Sequence, residues 1–204
     1  MLHSSWGRVH ALLEMIKFSH TVFALPFALT GLVLAAGGLP PLRTLLWVLA
    51  AMVGARTAAM AWNRIADREI DARNPRTAER HLPSGKVSSA EAWGLTIAGL
   101  LLMELSAWRL NPLCLRLSPI AVGVIFLYPY AKRFTSLCHY LLGLALSAAP
   151  LGAWVAVTGE WSLRIMPLGL AVLVWVAGFD VLYALQDFDF DCAEGLLSLP
   201  RKLG

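Results

Sequence analysis

Residues 44–71 read TLLWVLAAMVGARTAAMAWNRIADREID. The part that ends at Trp62 is long enough to cross the hydrocarbon core of a bilayer as an α-helix, and it carries one charged residue, Arg56. The part that follows places three polar side chains four residues apart, Asn63, Asp67 and Asp71. This pattern predicts a membrane-spanning helix that leaves the bilayer with a polar stripe along one face.

The rest of the chain has the same apolar character. Of its 204 residues, 58% are hydrophobic and 15% are charged, and the mean hydropathy is +0.64, whereas a soluble domain carries about 25% charged residues. This composition, without the alternating pattern of strands, excludes soluble enzymes, disordered tails and β-barrels. We therefore predict an all-α fold, a polytopic transmembrane helical bundle that forms a single domain over residues 1–204.

Stretches of about 20 apolar residues predict six membrane spans. They are Phe18–Leu39, Thr44–Trp62, Ala92–Trp108, Asn111–Tyr130, Leu137–Val157 and Ile165–Leu185. With the N-terminus in the cytoplasm, most of the 17 Lys and Arg residues fall on the inside. These are Arg8, Lys17, Arg64, Arg68, Arg73, Arg76, Arg80, Lys86, Lys132, Arg133, Arg201 and Lys202. The positive-inside rule thus favours cytoplasmic termini and cytoplasmic motif loops.

The net charge and the cysteines exclude two further kinds of site. The net charge of +4 is not gathered into a basic patch with interleaved aromatic residues, so we expect no nucleic-acid partner. Cys114, Cys138 and Cys192 match neither a zinc site nor a disulfide framework, and we expect them to be packing residues in a reducing compartment.

The aspartates occur in two short segments of the chain. Asp67 and Asp71 lie in the first, and the second contains Asp180, Asp187, Asp189 and Asp191. On a continuous helix Asp180, Tyr183, Asp187 and Asp191 would share one face, while Asp189 would point about 200° away from Asp187. The sequence therefore separates Asp189 from the other carboxylates.

Carboxylates at such spacing repel one another unless a cation lies between them. Hard oxygen ligands suit Mg²⁺, which binds through a few carboxylates together with substrate phosphates. A diphosphate bridged by Mg²⁺ to both clusters would satisfy these charges. A solvated acidic helix face is the alternative, but Asp180 lies deep in an apolar span, where an ionisable side chain is costly and usually functional.

Basic and polar residues surround these acidic segments. Residues 128–135, YPYAKRFT, place Tyr128, Lys132 and Arg133 where the fourth span ends, as phosphate partners or as topology markers. The same two interpretations, with lipid headgroups as further partners, hold for Arg64, Arg68, Arg73, Arg76 and Arg80. Inside the spans Arg56 and Glu104 need partners or water. His20, at the start of the first span, is expected to lie at the membrane interface.

Three segments together, NRIADREID (63–71), YPYAKRFT (128–135) and GFDVLYALQDFDFD (178–191), resemble the motifs of the UbiA-type membrane-embedded aromatic prenyltransferases. The resemblance extends over essentially the whole chain. Residues 17–31, KFSHTVFALPFALTG, and 138–154, CHYLLGLALSAAPLGAW, resemble the bacterial 4-hydroxybenzoate polyprenyltransferases, including members associated with menaquinone formation.

The resemblance implies a role for each matching residue. The catalytic set would be Asn63, Asp67, Asp71, Asp187 and Asp191, and its four aspartates would bind Mg²⁺. Lys132 and Arg133 would hold the diphosphate, and Tyr128 would line the reacting region. Asp180, Arg64 and Tyr183 would contribute further substrate contacts.

The resemblance also implies the reaction and its partners. A polyprenyl group would pass from an allylic polyprenyl diphosphate to 4-hydroxybenzoate or a related hydroxybenzoate or naphthoate, in ubiquinone or menaquinone biosynthesis. Mg²⁺ would be the cofactor and membrane lipid the surroundings, in the bacterial inner membrane. No obligate protein partner is inferred.

The chain differs from the family pattern in length. The family fold implies nine spans, whereas this sequence has six and ends at SLPRKLG, after the second aspartate segment. We interpret the chain as truncated at its C-terminus, and an inactive fragment of such an enzyme is one alternative. A small membrane transporter with intramembrane acidic ion sites is another, although neither aspartate segment has the internal Gly or Pro of a broken helix. A soluble terpene synthase also has paired aspartate motifs, but its helices are amphipathic.

Overall fold

The structure, a computed structural model, describes residues 5–17 and 23–204, and Ser5 by its backbone alone. Every regular element within these residues is helical. The α-helices are α1 (Ser5–Met15), α2 (Leu25–Ala36), α3 (Leu42–Ala66), α4 (Arg68–Arg73), α5 (Ser89–Leu110), α6 (Pro112–Leu127), α7 (Cys138–Thr158), α8 (Met166–Ala184), α9 (Phe188–Glu194) and α10 (Leu199–Leu203). Short 3₁₀ turns cover Tyr128–Arg133, Leu163–Ile165 and Leu185–Asp187. The predicted all-α fold is confirmed.

Five helical stretches in the described residues are long and apolar enough to cross a membrane. They are Leu42–Ala66, Ser89–Leu110, Pro112–Arg133, Cys138–Thr158 and Leu163–Glu194, and they coincide with the second to sixth predicted spans. The first predicted span corresponds to α2, a shorter apolar helix of 12 residues. The start of that span, residues 18–22 with His20, lies outside the described part of the chain.

Close backbone contact joins α3 to α5. A Cβ atom added at Gly54 would lie 2.6 Å from the carbonyl oxygen of Gly99, and one added at Gly99 would lie 2.7 Å from the backbone nitrogen of Ala58. Between apolar helices in lipid there is little hydrophobic driving force, so van der Waals packing through small residues holds such pairs together. This contact fixes α3, the helix that leads into the first aspartate segment.

The N-terminal helix covers the end of α3 at which that segment begins. Ala11 and Met15 of α1 are buried in one apolar cluster with Ala61 of α3 and with Leu82 and Val87 of the connection after α4. Arg8 donates to Glu91 at 2.7 Å, and Glu91 also forms a capping box with Ser88 at the start of α5. The sequence did not predict α1.

Each aspartate segment interrupts its helix in the same way. Asp67 ends α3 and precedes α4, with φ −98° and ψ 6°, and Asp187 precedes α9, with φ −109° and ψ 10°. Backbone hydrogen bonds from Asp67 to Asn63 and from Asp71 to Asp67 preserve the predicted spacing across the first break. In the second segment the 3₁₀ turn Leu185–Asp187 lies between α8 and α9. The helix predicted through the second segment thus changes to 3₁₀ geometry at Leu185–Asp187, so the residues before and after this turn do not keep the register of one continuous α-helix.

The polar segments all meet at one end of the bundle. Arg73, at the end of α4, pairs with Glu194 of α9 at 2.8 Å. The backbone N–H of Leu197 donates to the carbonyl of Lys132 at 2.7 Å. The two aspartate segments, the YPYAKRFT segment and the chain after α9 thus form one polar layer.

Candidate active site

Asp67 is the centre of the first half of the site. Its side chain is nearly inaccessible, with 7% exposed, and its Oδ2 accepts hydrogen bonds from Lys132 at 2.8 Å and from Asn63 at 3.3 Å. Arg133 lies 3.5 Å from Oδ1 and also donates to the carbonyl of Ala66. The structure therefore brings together four residues that the sequence proposed from two distant motifs.

Asp71 is held by arginines on both sides. Arg80 donates to both of its oxygens, at 2.8 and 2.9 Å, and the Arg64 guanidinium lies 3.9 Å away. Arg64 is itself buried and donates to the carbonyl of Met15 in α1. A buried carboxylate is tolerated when such charged partners surround it.

The second half of the site is built around Asp187. This carboxylate accepts hydrogen bonds from Asn74 at 2.8 Å and from two nitrogens of Arg76, the Nε at 2.8 Å. The bond to Asp187 raises the pKa of the Arg76 guanidinium. Arg76 also lies 3.5 Å from the Tyr183 hydroxyl and over the Tyr183 ring. Residues that follow the first aspartate segment thus hold the second.

The other two carboxylates at the end of the second segment, those of Asp189 and Asp191, differ in their exposure. Asp191 is half-buried within electrostatic reach of Asp187 and Lys132. Asp189 is exposed and lines a surface depression with Leu185 and Pro200. Asp189 is therefore exposed where Asp187 and Asp191 are partly buried, in agreement with the separation predicted from the sequence.

An apolar cavity of about 460 Å³ opens between α3, α6 and α7. Its lining is mostly alanine and leucine, and Arg56 of α3 provides its only charged side chain among the described residues. The Arg56 Nε is buried, and in the described part of the chain it finds no hydrogen-bond partner. Such a donor in an apolar site is costly unless a ligand atom accepts from it.

Tyr128 lies between this cavity and the carboxylates. Its hydroxyl donates to the carbonyl of Ala59 at 3.4 Å. Arg56, Asp67 and Asp180 all lie within electrostatic reach of the phenol. A ligand that filled the cavity and extended to the polar layer would pass Tyr128.

The carboxylate oxygens of the site are ligands that suit Mg²⁺. Within residues 5–17 and 23–204 no three His, Cys, Asp or Glu side chains form a metal cage of their own. Mg²⁺ does not need such a cage, because it keeps several waters and takes one or two carboxylates together with substrate phosphates. Asp67, Asp71 and Asp187 offer such carboxylates, each beside cationic side chains that can also bind phosphate oxygens.

The family model of the UbiA prenyltransferases matches residues 24–204. The chain belongs to this family. A UbiA homolog from Aeropyrum pernix K1, solved in its apo form, superposes with a TM-score of 0.85 and 43% identity, over 91% of this chain and 70% of the homolog. The UbiA fold predicted from the three motifs is confirmed.

Of two other UbiA relatives, one has a named activity and one was solved with bound ligands. The 4-hydroxybenzoate octaprenyltransferase of Vibrio atlanticus is 38% identical over 86% of this chain, and the chain spans 62% of that enzyme's length. A UbiA homolog from Archaeoglobus fulgidus bound to DMAPP and Mg²⁺ has a TM-score of 0.74 at 23% identity, over 95% of this chain and 69% of the homolog. At that identity the second likeness supports the fold alone.

Sequence reasoning did not identify several members of the site. Asn74 carried no motif signal, and Arg76 and Arg80 were not separated from the other arginines of their connection. Arg56 did carry a signal, because it is a charged residue inside a span and lies seven residues before Asn63, on the same helical face. Its partner could not be read from the sequence, and the structure shows an apolar cavity there.

Proposed function

We propose that this chain carries the reaction site of an aromatic prenyltransferase. A polyprenyl diphosphate would be the donor, and 4-hydroxybenzoate or a related hydroxybenzoate or naphthoate the acceptor, in ubiquinone or menaquinone biosynthesis. The observation that carries the proposal is Tyr128, which contacts Ala59 in the wall of the apolar cavity and lies within electrostatic reach of Asp67 in the carboxylate–cation layer. The named activity of the Vibrio relative agrees with it.

The diphosphate would bind in the polar layer. Lys132, Arg133 and Arg76 now pair with carboxylates, and a diphosphate presents oxygens of the same charge, so these cations can transfer to it. Asn63, Asp67, Asp71, Asp187 and Asp191 would then serve Mg²⁺, with Asn63 orienting Asp67 through its 3.3 Å contact. Bound Mg²⁺ would supply Lewis-acid stabilisation of the negative charge that develops on the leaving diphosphate. Arg64 and Tyr183 support Asp71 and Arg76 respectively.

The acceptor would bind in the cavity. A benzoate carboxylate is a planar pair of acceptor oxygens, which an arginine side chain can bind, and it would satisfy the buried Nε of Arg56. With the carboxylate near Arg56, the ring would extend towards Tyr128, at the junction with the polar layer. This orientation directs the ring positions beside the hydroxyl towards the diphosphate.

The chemistry follows from the two environments. Cationic side chains around the diphosphate favour heterolysis of the allylic C–O bond, because they stabilise the negative charge on the departing group. The electron-rich ring then attacks the allylic carbocation ortho to its hydroxyl, and loss of a ring proton restores aromaticity. The apolar walls exclude water that would otherwise capture the cation.

We propose a location in the bacterial inner membrane with the polar layer facing the cytoplasm. The excess of Lys and Arg among the segments of this layer supports that orientation. Membrane lipid would then surround the apolar helices, and the polyprenyl tail would extend towards it.

A membrane assay tests the proposed function. Membranes that contain the chain, supplied with Mg²⁺, a polyprenyl diphosphate and 4-hydroxybenzoate or 1,4-dihydroxy-2-naphthoate, should form a prenylated acceptor detectable by mass spectrometry. Phenol, which lacks the carboxylate, should react poorly, and Asp67→Asn membranes are the matched control. Product no higher than in Asp67→Asn membranes, with every acceptor, would contradict the proposal. Proton or cation flux in proteoliposomes without product would favour the transporter alternative.

A further inference from the structure

His139 is a buried imidazole that none of the proposed steps uses. It lies in the first turn of α7 and is 2% exposed. Its Nδ1 lies 2.7 Å from the Asp180 carboxylate of α8, and its Nε2 lies 3.3 Å from the backbone nitrogen of Leu199. One ring therefore contacts both a proposed substrate residue and the chain that follows the second aspartate segment.

The two contacts determine where the ring proton lies. A backbone N–H can only donate, so Nε2 of His139 must be the acceptor and carry no hydrogen. Nδ1 then carries the proton and donates it to Asp180. The Leu199 N–H belongs to the first turn of α10, where it has no partner within the helix, and His139 satisfies it.

The chain after α9 docks onto the site through several such contacts. We call residues 196–203 the docking segment. Leu196 and Ser198 are buried, and Leu197 bonds to the carbonyl of Lys132. The Cys138 thiol donates to the carbonyl of Leu197 at 3.5 Å. His139 joins this segment to Asp180 of α8 through its other ring nitrogen.

We propose that His139 is a positioning residue that holds Asp180 with one ring nitrogen and the docking segment with the other. The imidazole holds Oδ2 of Asp180, and this carboxylate lies within electrostatic reach of Tyr128, where the proposed ligands meet. The effect on turnover rests on the proposed function, whereas the coupling of the docking segment to His139 does not. Loss of the ring would free both partners at once.

Two conservative variants separate the two contacts of the ring. His139→Asn places a donor near the Nδ1 position and keeps the bond to Asp180, whereas His139→Gln places an acceptor near the Nε2 position and keeps the bond to Leu199. We expect His139→Asn to retain kcat/KM within about threefold. We expect His139→Gln to lose about ten- to hundredfold in kcat/KM, as for a lost hydrogen bond to a charged group.

Hydrogen exchange gives a readout that needs no turnover. In nanodiscs, the amides of residues 196–203 should exchange faster in His139→Asn than in wild type, and at nearly the wild-type rate in His139→Gln. Cys138→Ala removes a contact with the same segment that does not involve Asp180. It should leave kcat/KM within about twofold.

A double-mutant cycle tests whether His139 acts through Asp180. In an Asp180→Ala background, His139→Gln should cost less than about twofold further, because the partner is already absent. Equal activity losses in His139→Asn and His139→Gln, or additive losses with Asp180→Ala, would overturn the proposal. If wild type forms no prenylated product, the proposed function fails. Unchanged exchange of residues 196–203 in His139→Asn would independently refute the contact between His139 and the docking segment.

Discussion

Two neighbouring aspartates, Asp187 and Asp189, carry the same charge but should respond differently to substitution. Asp187 accepts three hydrogen bonds, one from Asn74 and two from Arg76, and 19% of its side chain is exposed. Asp189 is exposed in a surface depression on another side of the segment. Each is replaced by Asn, which removes the charge and preserves the size.

The structure gives the size of the difference. Asp187→Asn leaves one acceptor oxygen in place of two, so one Arg76 hydrogen bond is lost together with the ion pair, which costs about 2 kcal/mol. If that stabilisation is lost from the transition state, turnover falls about thirtyfold, and loss of a charged metal ligand adds to this value. Asp189→Asn removes an exposed charge whose interactions are worth about 0–1 kcal/mol, so its turnover should change by less than about fivefold.

The assay is the initial rate of prenyl transfer as a function of Mg²⁺ concentration. The Mg²⁺ concentration for half-maximal rate should rise steeply in Asp187→Asn and stay close to wild type in Asp189→Asn. Equal shifts in the two variants would refute the reasoning, because they would mean that a diffuse negative field, and not a defined set of ligands, holds the metal.

Three further predictions address the cavity, the packing and the topology. Arg56→Leu should raise the KM for a carboxylated acceptor more than about tenfold and leave the KM for the diphosphate within about threefold. Steady-state kinetics with each substrate varied in turn measure both values. A rise in the KM for the diphosphate alone would contradict the proposed acceptor site. Gly54→Ala should destabilise the fold by about 1–3 kcal/mol, because its Cβ would lie 2.6 Å from the carbonyl oxygen of Gly99. Gly94→Ala, whose Cβ meets open space, should be neutral or slightly stabilising. Equal unfolding temperatures of the two variants, measured by thermal unfolding in detergent, would refute the packing argument. In a cysteine-free background, Lys86→Cys and Lys202→Cys should react with an impermeant thiol reagent from the cytoplasmic side, and Glu160→Cys from the opposite side. Labelling of Lys86→Cys and Glu160→Cys from the same side would contradict the topology.

Local features of the sequence were enough for the membrane-spanning helices and for the residues grouped around Asp67. The five spans after the first were placed within a few residues, because lipid requires long apolar runs and each run is visible without knowledge of its neighbours. Asn63, Asp67, Lys132 and Arg133 were grouped from their spacing and from a charge argument, and the structure places them in one set of contacts.

Pairing between distant segments could not be read in the same way. Arg76 and Arg80 belong to a connection with several arginines, and composition does not tell which carboxylate each one meets. Asn74 and His139 are single polar residues whose partners lie 113 and 41 residues away in the chain. Only the packing of the helices brings such groups within hydrogen-bond distance.

By itself the sequence determined a helical membrane bundle, the end at which its polar residues gather, and the separation of Asp189 from Asp187. The tertiary structure decided which cation holds which carboxylate, that both aspartate segments break their helices at an aspartate, and that Arg56 faces an apolar cavity. The physical reason is a difference in range. Helix formation in lipid is set by backbone hydrogen bonds within a few residues, whereas ion pairs and cavities depend on how α3, α6, α7 and α8 pack against one another.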